Sequence, residues 1–252
     1  MNLITELPKQ HSFAKQPLLE PQQNHLLASM TQEDRLQILP FLEQVDFSLN
    51  QVLCEAGSAP SYVYFPTTAI ASLIYFTESG DSSEIAVVGN DGVVGTSLFF
   101  SGTNLPYQAI VQNVGKGYRV RTQTAVNAFN RSREMQNILL HYSLSMMTQI
   151  TQTAVCNRHH TIDQQLCRRL LLALDRLPTN QIAMTQEVLS NLLGVRRESV
   201  TQSAAKLQLS GIIDYKRGLI RVLDRKSLES RVCECYDVVK NEEQRLKNIP
   251  LH

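Results

Sequence analysis

The chain has 252 residues, enough for two modest domains, and its hydrophobic fraction of 43% supports buried cores. Because its net charge is only +1, the chain is not a polyelectrolyte that binds its partners through total charge alone. The sequence lacks both an apolar run of roughly 18 residues and an apolar signal-peptide region, so we expect a cytoplasmic protein with no membrane partner.

Charge is unevenly distributed along the chain. Residues 31–123 contain four basic and nine acidic residues, whereas residues 184–226 contain eight basic and four acidic residues. An acidic part joined to a basic part is typical of a sensor or scaffold attached to a module that binds a polyanion.

The potential metal ligands do not form a recognisable motif. The five cysteines are odd in number and form no CxxC pair, so we interpret them as reduced thiols: Cys54, Cys156, Cys167, Cys233 and Cys235. Cys233 and Cys235 could bind a metal, but an ordinary helix surface is the favoured interpretation. His159 and His160 are adjacent and point to different helix faces, which favours a hinge or surface role. We therefore predict no metal site.

Residues 1–24 are polar and contain proline, which predicts a loose N-terminal tail. A short helical segment follows at residues 24–28. Thr31, with Asp34 three residues later, has the pattern of a capped helix start. The helical spacing of the next apolar residues predicts that this helix continues through all of them: Leu36, Leu39, Leu42 and Val45.

From residue 47 to residue 126, short β-rich runs alternate with turn residues, a pattern typical of a sandwich or barrel. The predicted strands are Val52–Cys54, Tyr62–Phe65, Ile70–Phe76, Ile85–Val88, Ala109–Val114 and Tyr118–Arg121. Between them lie breaks such as Gly115–Gly117. The segments 72–76 and 84–88 are expected to form a hairpin. We assign residues 25–132 to this sensor-like domain.

Residues 133–157 are predicted to form a long helix with two apolar rows. The first row is Leu139, Tyr142, Met146 and Ile150, and the second is Leu140, Leu144, Met147 and Thr151. One row could pack on the chain's own β domain and the other on a second copy, although burial within one chain is the alternative. The helical pattern is interrupted at 157–160, where we expect a hinge, and Thr161 is expected to cap a helix over 162–177.

The segment Thr185–Ser210 predicts a helix-turn-helix with its sharp turn at Gly194. A two-stranded wing with the basic tip Lys216–Arg217 follows, and Ser227 is expected to cap a last helix that runs to about Lys247. We assign residues 158–252 to a DNA-binding domain. The candidate DNA contacts are Thr185, Gln186, Arg196, Arg197, Glu198, Ser199, Gln202, Lys206, Lys216 and Arg217.

The order of these elements resembles the Crp/Fnr superfamily of bacterial transcription regulators. The resemblance runs from about residue 31 to residue 226 and is carried by the motifs Val52–Gly57, Gly92–Gly95 and Gly194–Val200. It implies an α+β fold with an N-terminal β-roll, a long dimerisation helix and a C-terminal winged helix-turn-helix.

In the recognition helix, the resemblance implies that Arg197 contacts a guanine and that Glu198 accepts a hydrogen bond from a cytosine amine. The chemistry of these side chains agrees, because arginine is bidentate to O6 and N7 of guanine and glutamate accepts from N4 of cytosine. The next reading position matches Gln202, which prefers adenine. The implied partners are a palindromic double-stranded operator, a second copy of the chain, and RNA polymerase.

The segment that matches the nucleotide-binding cassette of the family is degenerate. Family members that bind a cyclic nucleotide carry Gly-Glu and a later Arg, whereas here Thr96 follows Gly95 and no Lys or Arg occurs between Arg35 and Lys116. A buried phosphate without a cation would be costly, so ordinary cyclic-nucleotide binding is not expected, although a backbone nest could hold a phosphate. The cassette residues are Gly92, Gly95, Thr96, Ser97, Tyr107 and Gln108.

Other signals of the family are also missing. No cysteine precedes Cys54, which argues against an iron–sulfur sensor, and His11 and His25 in the tail are the only early candidates for a haem ligand. No cofactor is expected. The effector could be another metabolite, a protein, or none.

Two other functions were weighed against a homodimeric DNA-binding regulator. A ligand-binding module whose C-terminal domain contacts protein would not need the basic charge of residues 184–226. An enzyme is not expected, since no nucleophile–base pair, paired-histidine site or Walker loop can be assembled.

Overall fold

The computed structural model describes residues 20–100 and 106–247. The predicted α+β fold is confirmed: two antiparallel sheets are followed by a long helix and a smaller mixed domain. The N-terminal elements are α1 (His25–Ser29), α2 (Gln32–Ile38), β1 (Glu43–Phe47), β2 (Val52–Cys54), β3 (Tyr62–Pro66), β4 (Ile70–Phe76), β5 (Ser82–Val88), β6 (Gln108–Asn113) and β7 (Gly115–Arg121). Short 3₁₀ turns occur at Pro21–Gln23, Leu39–Phe41 and Thr96–Phe99.

The strands form a roll of two sheets that enclose an apolar core. One sheet has the order β1-β7-β3 and the other has the order β2-β6-β4-β5. The expected hairpin is present: β4 pairs antiparallel with β5, with Ser72 opposite Val87. Inward-facing side chains fill the space between the sheets, among them Phe47, Leu53, Leu73, Val88, Ala109 and Val111.

The helix predicted to run through Leu42 and Val45 is wrong. Thr31 caps α2 as expected, its hydroxyl accepting a bond from the Asp34 N–H at 3.1 Å, but the helix ends at Ile38. Pro40 follows and cannot donate a helical hydrogen bond. The chain then enters β1, which pairs with β7 in the register Glu43 opposite Arg119.

The break predicted at Gly115–Gly117 is also wrong, because these residues lie inside β7. A Cβ on Gly115 would lie 2.5 Å from the Ala69 nitrogen, and one on Gly117 would lie 2.4 Å from the Phe65 carbonyl oxygen. These glycines therefore permit close backbone packing within the roll rather than a turn.

The C-terminal half begins with α3 (Thr122–Arg131) and the long helix α4 (Arg133–His159). It continues with α5 (Ile162–Leu174), β8 (Gln181–Ala183), α6 (Gln186–Leu193), α7 (Arg197–Leu209), β9 (Ile213–Lys216), β10 (Leu219–Val222), α8 (Arg225–Glu229) and α9 (Cys235–Lys247). Sequence reasoning missed β8, which pairs with β10 and makes the wing a three-stranded sheet.

Several helix ends differ from the prediction. The long helix α4 continues through the predicted break to His159, and α5 ends at Leu174 rather than residue 177. Thr161 caps α5 as expected, in a capping box with Gln164. The last helix is divided into α8 and α9, and the cap of α8 is Asp224, whose carboxylate accepts from the Ser227 N–H at 3.0 Å, so Ser227 lies inside the helix.

The C-terminal domain packs directly on the roll. Arg169 of α5 forms a buried ion pair with Glu84 of β5 at 2.6 Å, and the core of this domain includes Ile70, Ile74 and Val87 from the roll. No helix within residues 20–100 and 106–247 has the length and apolar character needed to span a membrane.

Candidate DNA-binding surface and sensor cassette

The turn between α6 and α7 has the geometry of a helix-turn-helix. Thr185 caps α6 by accepting a bond from the Val188 N–H at 3.1 Å. Gly194 ends the helix at φ 64°, a left-handed conformation that glycine adopts without strain, and the Val195 N–H donates to the Ser190 carbonyl at 3.0 Å. The sequence-predicted turn at Gly194 is confirmed.

One face of α7 is buried and the opposite face is exposed. Val200, Ala204 and Leu207 pack into the domain core. Arg197, Glu198, Thr201 and Gln202 are exposed on the other side. The first residue of the pair Arg196–Arg197 is the N-cap, so α7 begins with Arg197. The exposed face therefore presents a guanidinium, a carboxylate and an amide from its N-terminal turns.

Thr201 belongs to this face and was missed by sequence reasoning. Its hydroxyl lies 2.9 Å from Gln186 Oε1 and 3.0 Å from the Arg197 carbonyl oxygen. The Gln186 side chain at the start of α6 is thus held over the recognition helix α7. The sequence signal that places Thr201 on this face is its spacing of one helical turn from Arg197.

Lys206 lies on the flank of α7 rather than at the centre of this face. Its ammonium pairs with Asp163 of α5 at 2.9 Å, and the same carboxylate accepts a bond from the Ser203 hydroxyl. Burial tends to raise the pKa of Asp163, but these hydrogen bonds and the Lys206 charge outweigh it and lower the pKa. Lys206 therefore has an internal electrostatic partner.

Strands β9 and β10 of the wing form a hairpin whose two-residue tip needs positive φ. Arg217 has φ 51° and Gly218 has φ 78°, as a type I′ turn requires, and Lys216 pairs with Leu219 across it. The Met184 N–H donates to the Gly218 carbonyl at 2.7 Å, and the Tyr215 hydroxyl donates to the Met184 carbonyl at 2.9 Å. These bonds fix the wing beside the N-terminus of α6.

Positive charge is concentrated where the wing and α7 meet. Burial raises the pKa of Tyr215 to about 12, and the nearby Arg197 guanidinium opposes this rise. Lys216 pairs with Asp214 at 3.1 Å. Within residues 20–100 and 106–247, the ion pairs do not include Arg196, Arg197 or Arg217, so these three guanidinium groups are available to an external anion.

In the roll, the cassette glycines have steric roles. A Cβ on Gly92 would lie 2.2 Å from Tyr142 Oη, since the Tyr142 ring of α4 packs directly against this glycine. The Tyr142 hydroxyl donates to the Val93 carbonyl at 3.3 Å. Gly95 has φ 106°, which favours glycine at the start of the 3₁₀ turn that contains Thr96.

Three of the remaining cassette side chains have polar partners: Thr96 and Tyr107 bond to each other, and Gln108 bonds to an acid. Burial raises the pKa of Tyr107 to about 12, although a hydrogen bond with Thr96 opposes the rise. The Gln108 amide donates to the Glu55 carboxylate, and Ser97 is buried. A neighbouring carboxylate would repel a phosphate rather than attract it.

The two apolar rows of α4 differ in exposure. In the first row, Leu139 and Tyr142 are buried and Met146 and Ile150 pack against the chain's own roll. In the second row, the exposed fractions are 53% for Leu140, 43% for Leu144 and 64% for Met147. The helix therefore covers its own domain with one row and leaves an apolar stripe of the other row uncovered.

Cys233 and Cys235 were assigned to an ordinary helix surface, which is wrong. Both are buried against the C-terminal end of α4, where they meet Cys156 and His160. The potential ligand atoms of these four residues lie within 4.8 Å of one another. The signal in the sequence is the spacing of Cys156 and His160, which are one helical turn apart, rather than the adjacent pair His159 and His160.

Comparison with known proteins gives a domain-level match. Residues 164–231 match the family model described as the Crp-like helix-turn-helix domain. A search of curated protein sequences finds no significant match to the chain.

Solved structures give a match over most of the chain. A protein from Eubacterium rectale assigned to the Crp/Fnr family of transcriptional regulators is 14% identical, with a TM-score of 0.63 over 83% of this chain and 98% of that one. TTHA1359, a Crp/Fnr-family regulator from Thermus thermophilus, is 20% identical, with a TM-score of 0.60 over 77% and 98%. The c-di-GMP-responsive regulator CLP from Xanthomonas campestris is 14% identical, with a TM-score of 0.59 over 77% and 100%.

At these identities the solved structures establish the fold, and the family model identifies the domain that carries the exposed recognition helix. Residues 164–231 therefore belong to the Crp-like helix-turn-helix domains, and the chain as a whole has the fold of Crp/Fnr-family transcription regulators.

Proposed function

We propose that the protein is a sequence-specific DNA-binding transcription regulator that acts as a homodimer. The observation that carries this proposal is the exposed face of α7, which presents Arg197, Glu198 and Gln202 beside the wing. This helix lies within the residues that match the Crp-like helix-turn-helix domain. An enzymatic role has no support in the arrangement of these residues.

The exposed side chains differ in what they can recognise. Arg197 suits a guanine, Glu198 a cytosine and Gln202 an adenine. Arg196, Lys216, Arg217 and the N-terminus of α6 with Thr185 and Gln186 suit phosphates, which position the protein without reading sequence. Ser199 and Lys206 lie at the edge of the surface, and Lys206 would have to leave Asp163 to contact DNA.

The exposed second row of α4 supports the proposed two-fold dimer. Leu140, Leu144 and Met147 are spaced by four and three residues, as in a coiled-coil seam, and a second copy of the same helix is the occupant that this spacing fits. Such a dimer would place two recognition helices on successive turns of a palindromic operator. RNA polymerase is a further partner that we propose for such a regulator.

The roll is proposed not to respond to cyclic nucleotides. CLP is named as c-di-GMP-responsive, so the fold accommodates such control in that protein. In this chain Gln108 pairs with Glu55, and no Lys or Arg lies between Arg35 and Lys116. Calorimetric titration with cyclic AMP and with c-di-GMP is expected to show no binding at millimolar ligand, and saturable binding of either would refute this part.

The DNA-binding proposal is tested by selecting the preferred operator from random duplexes and measuring affinity by fluorescence anisotropy. Arg197→Ala is expected to cost roughly 1–3 kcal/mol on the preferred site and to relax preference at one base pair per half-site. Arg131→Ala at the end of α3 removes the same charge outside the helix-turn-helix and the wing and serves as the control. Unchanged site preference in Arg197→Ala would disprove the assigned base contact.

A further inference from the structure

Four metal-ligating side chains converge where the end of α4 meets the start of α9. Cys156 and His160 come from the last turn of α4 and its cap, Cys233 lies two residues before α9, and Cys235 is the first residue of α9. The Cys156 and Cys233 sulfurs are 3.6 Å apart, and Cys235 Sγ lies 3.5 Å from His160 Nδ1. All three thiols are buried, and each is a free cysteine.

We propose that Cys156, His160, Cys233 and Cys235 bind one zinc ion per chain in a closed tetrahedral site. This site is independent of the proposed DNA contacts. Three sulfurs and one imidazole nitrogen form a Cys₃His donor set, which is a common set for structural zinc.

The spacing of the donors fits a single ion. Zinc bonds of about 2.3 Å to sulfur and about 2.0 Å to nitrogen, at tetrahedral angles, place two sulfurs about 3.8 Å apart and a sulfur about 3.5 Å from the nitrogen. The two separations in the structure, 3.6 Å and 3.5 Å, are close to these values. An iron–sulfur cluster would hold its thiolates further apart, because several metal and sulfide ions lie between them.

The backbone already holds the donors in position. The His160 N–H donates to the Cys156 carbonyl at 3.1 Å, which keeps these two residues one turn apart on the same face. The Gln165 amide donates to the His160 carbonyl at 2.9 Å. On the other side, the Tyr236 N–H donates to the Cys233 carbonyl at 3.1 Å and forms the turn that directs Cys233 and Cys235 to the same point.

The surroundings of His160 match those of a metal-bound histidine. Its Nδ1 faces the thiols, while its Nε2 lies 3.2 Å from Glu234 Oε1. A ligating histidine commonly donates its second N–H to a carboxylate, which fixes the tautomer and the ring orientation. Glu234 is positioned to perform this role.

A buried guanidinium next to the site would balance its charge. One zinc ion with three thiolates carries one net negative charge, and its binding releases the three thiol protons to solvent. Arg168 is 6% exposed, and its Nε has no hydrogen-bond partner among the described residues. Burial lowers the pKa of Arg168, and the three thiols of the site, followed by Glu84, oppose this shift.

The ion would join two parts of the chain that are 77 residues apart in sequence, counted from Cys156 to Cys233. Between them lie α5, the helix-turn-helix and the wing. Zinc would therefore close the DNA-binding domain into a loop anchored on the end of α4, and would restrict its movement about the connection at residue 160.

Metal content of the purified full-length protein tests the site directly. After expression with added zinc and purification under reducing conditions without chelator, elemental mass spectrometry is expected to find about one zinc per chain. Replacement of zinc by Co²⁺ is expected to give the intense visible bands of tetrahedral cobalt with thiolate ligands. Less than about a tenth of an ion per chain, together with no such bands on Co²⁺ titration, would overturn the proposal.

Variants separate the site from general effects on folding. Cys156→Ser and Cys233→Ser are expected to lose the zinc, whereas Cys54→Ser, which removes a buried thiol in the roll, is expected to keep it. Glu234→Gln changes an exposed side chain and is expected to weaken zinc binding by about tenfold or more in a competition with a chromogenic chelator. This variant tests the geometry even if a cysteine variant fails to fold.

Two results would contradict the assignment. Full zinc content in Cys156→Ser and Cys233→Ser would place the metal elsewhere. A zinc-free wild type whose intact mass is lowered by two hydrogens, with a linked peptide pair that contains Cys156 and Cys233, would show instead that these two residues form a disulfide, since their sulfurs are 3.6 Å apart.

Discussion

Arg176 of the DNA-binding domain and Asp91 of the roll form a bidentate ion pair, with Nε to Oδ1 at 3.0 Å and Nη2 to Oδ2 at 2.7 Å. The Arg176 side chain is 1% exposed, and Glu243 of α9 is its second acidic partner at 2.5 Å. Burial alone would lower the pKa of this guanidinium, but the two carboxylates outweigh burial and raise it. The buried guanidinium is therefore neutralised by one carboxylate from its own domain and one from the roll, and the pair with Asp91 links the two domains of one chain.

Loss of the roll carboxylate should be strongly destabilising. Asp91→Asn is expected to lower the free energy of unfolding by about 3 kcal/mol, because a buried guanidinium would keep only one acidic partner. Urea denaturation followed by circular dichroism measures the change. Glu78→Gln, at an exposed position on the same roll, is the control and should lie within about 0.5 kcal/mol of wild type. Equal effects of the two substitutions would mean that the ion pair adds nothing to stability.

Stability at acid pH should depend on Asp163. Its pKa is lowered in the folded protein, so its contribution is present above the ordinary value of 3.8 and is lost as the pH falls through the lower folded value. The difference in unfolding free energy between wild type and Asp163→Asn should therefore shrink below about pH 4. Ser203→Ala removes one of the bonds that lower the pKa and should move this loss to higher pH. A difference that does not vary with pH would refute the assignment.

The wing tip should affect salt dependence rather than sequence preference. Arg217→Asn keeps a residue that tolerates positive φ and removes the charge, so folding stability should be unchanged while the slope of log K against log salt becomes shallower by about 0.9. Arg217→Gly should have the same salt slope as Arg217→Asn. Anisotropy titrations between low and moderate salt measure this slope. Arg131→Gln at the end of α3 is the charge control, and a similar change of slope in that variant would contradict a contact between the wing tip and DNA.

The exposed second row of α4 should control assembly. Wild type is expected to have twice the chain mass of 28.4 kDa in light scattering. Met147→Glu and Leu144→Glu should raise the dimer dissociation constant by roughly a hundredfold or more, since each would bury a carboxylate at the seam. Leu36→Glu, at an exposed leucine of α2, is the matched control and should remain dimeric. Dimers that persist in both α4 variants would place the interface elsewhere.

Local sequence patterns predicted the elements whose geometry depends on neighbouring residues. The turn at Gly194, the cap at Thr161 and the β4–β5 hairpin are each specified within a few residues, and all three are present. The exposed positions of α7 could be predicted for the same reason, because the apolar spacing of Val200, Ala204 and Leu207 fixes which face is buried.

Features that depend on distant contacts could not be predicted in this way. The strand β1 has a spacing that also fits a helix, and its pairing with β7 decides the outcome. Gly115 and Gly117 resemble a turn until the backbone that crosses them is known. Cys156 and Cys233 are neighbours only because α9 packs beside α4, and no local spacing records that contact.

The contact between Gly92 and Tyr142 has a mechanical consequence. The Tyr142 ring occupies the space that any side chain at position 92 would need, and it belongs to the same helix that carries the exposed apolar row. The backbone at Gly92 therefore cannot move towards α4 unless the Tyr142 ring moves as well. Within one chain, the position of α4 and the shape of the cassette are thus sterically coupled.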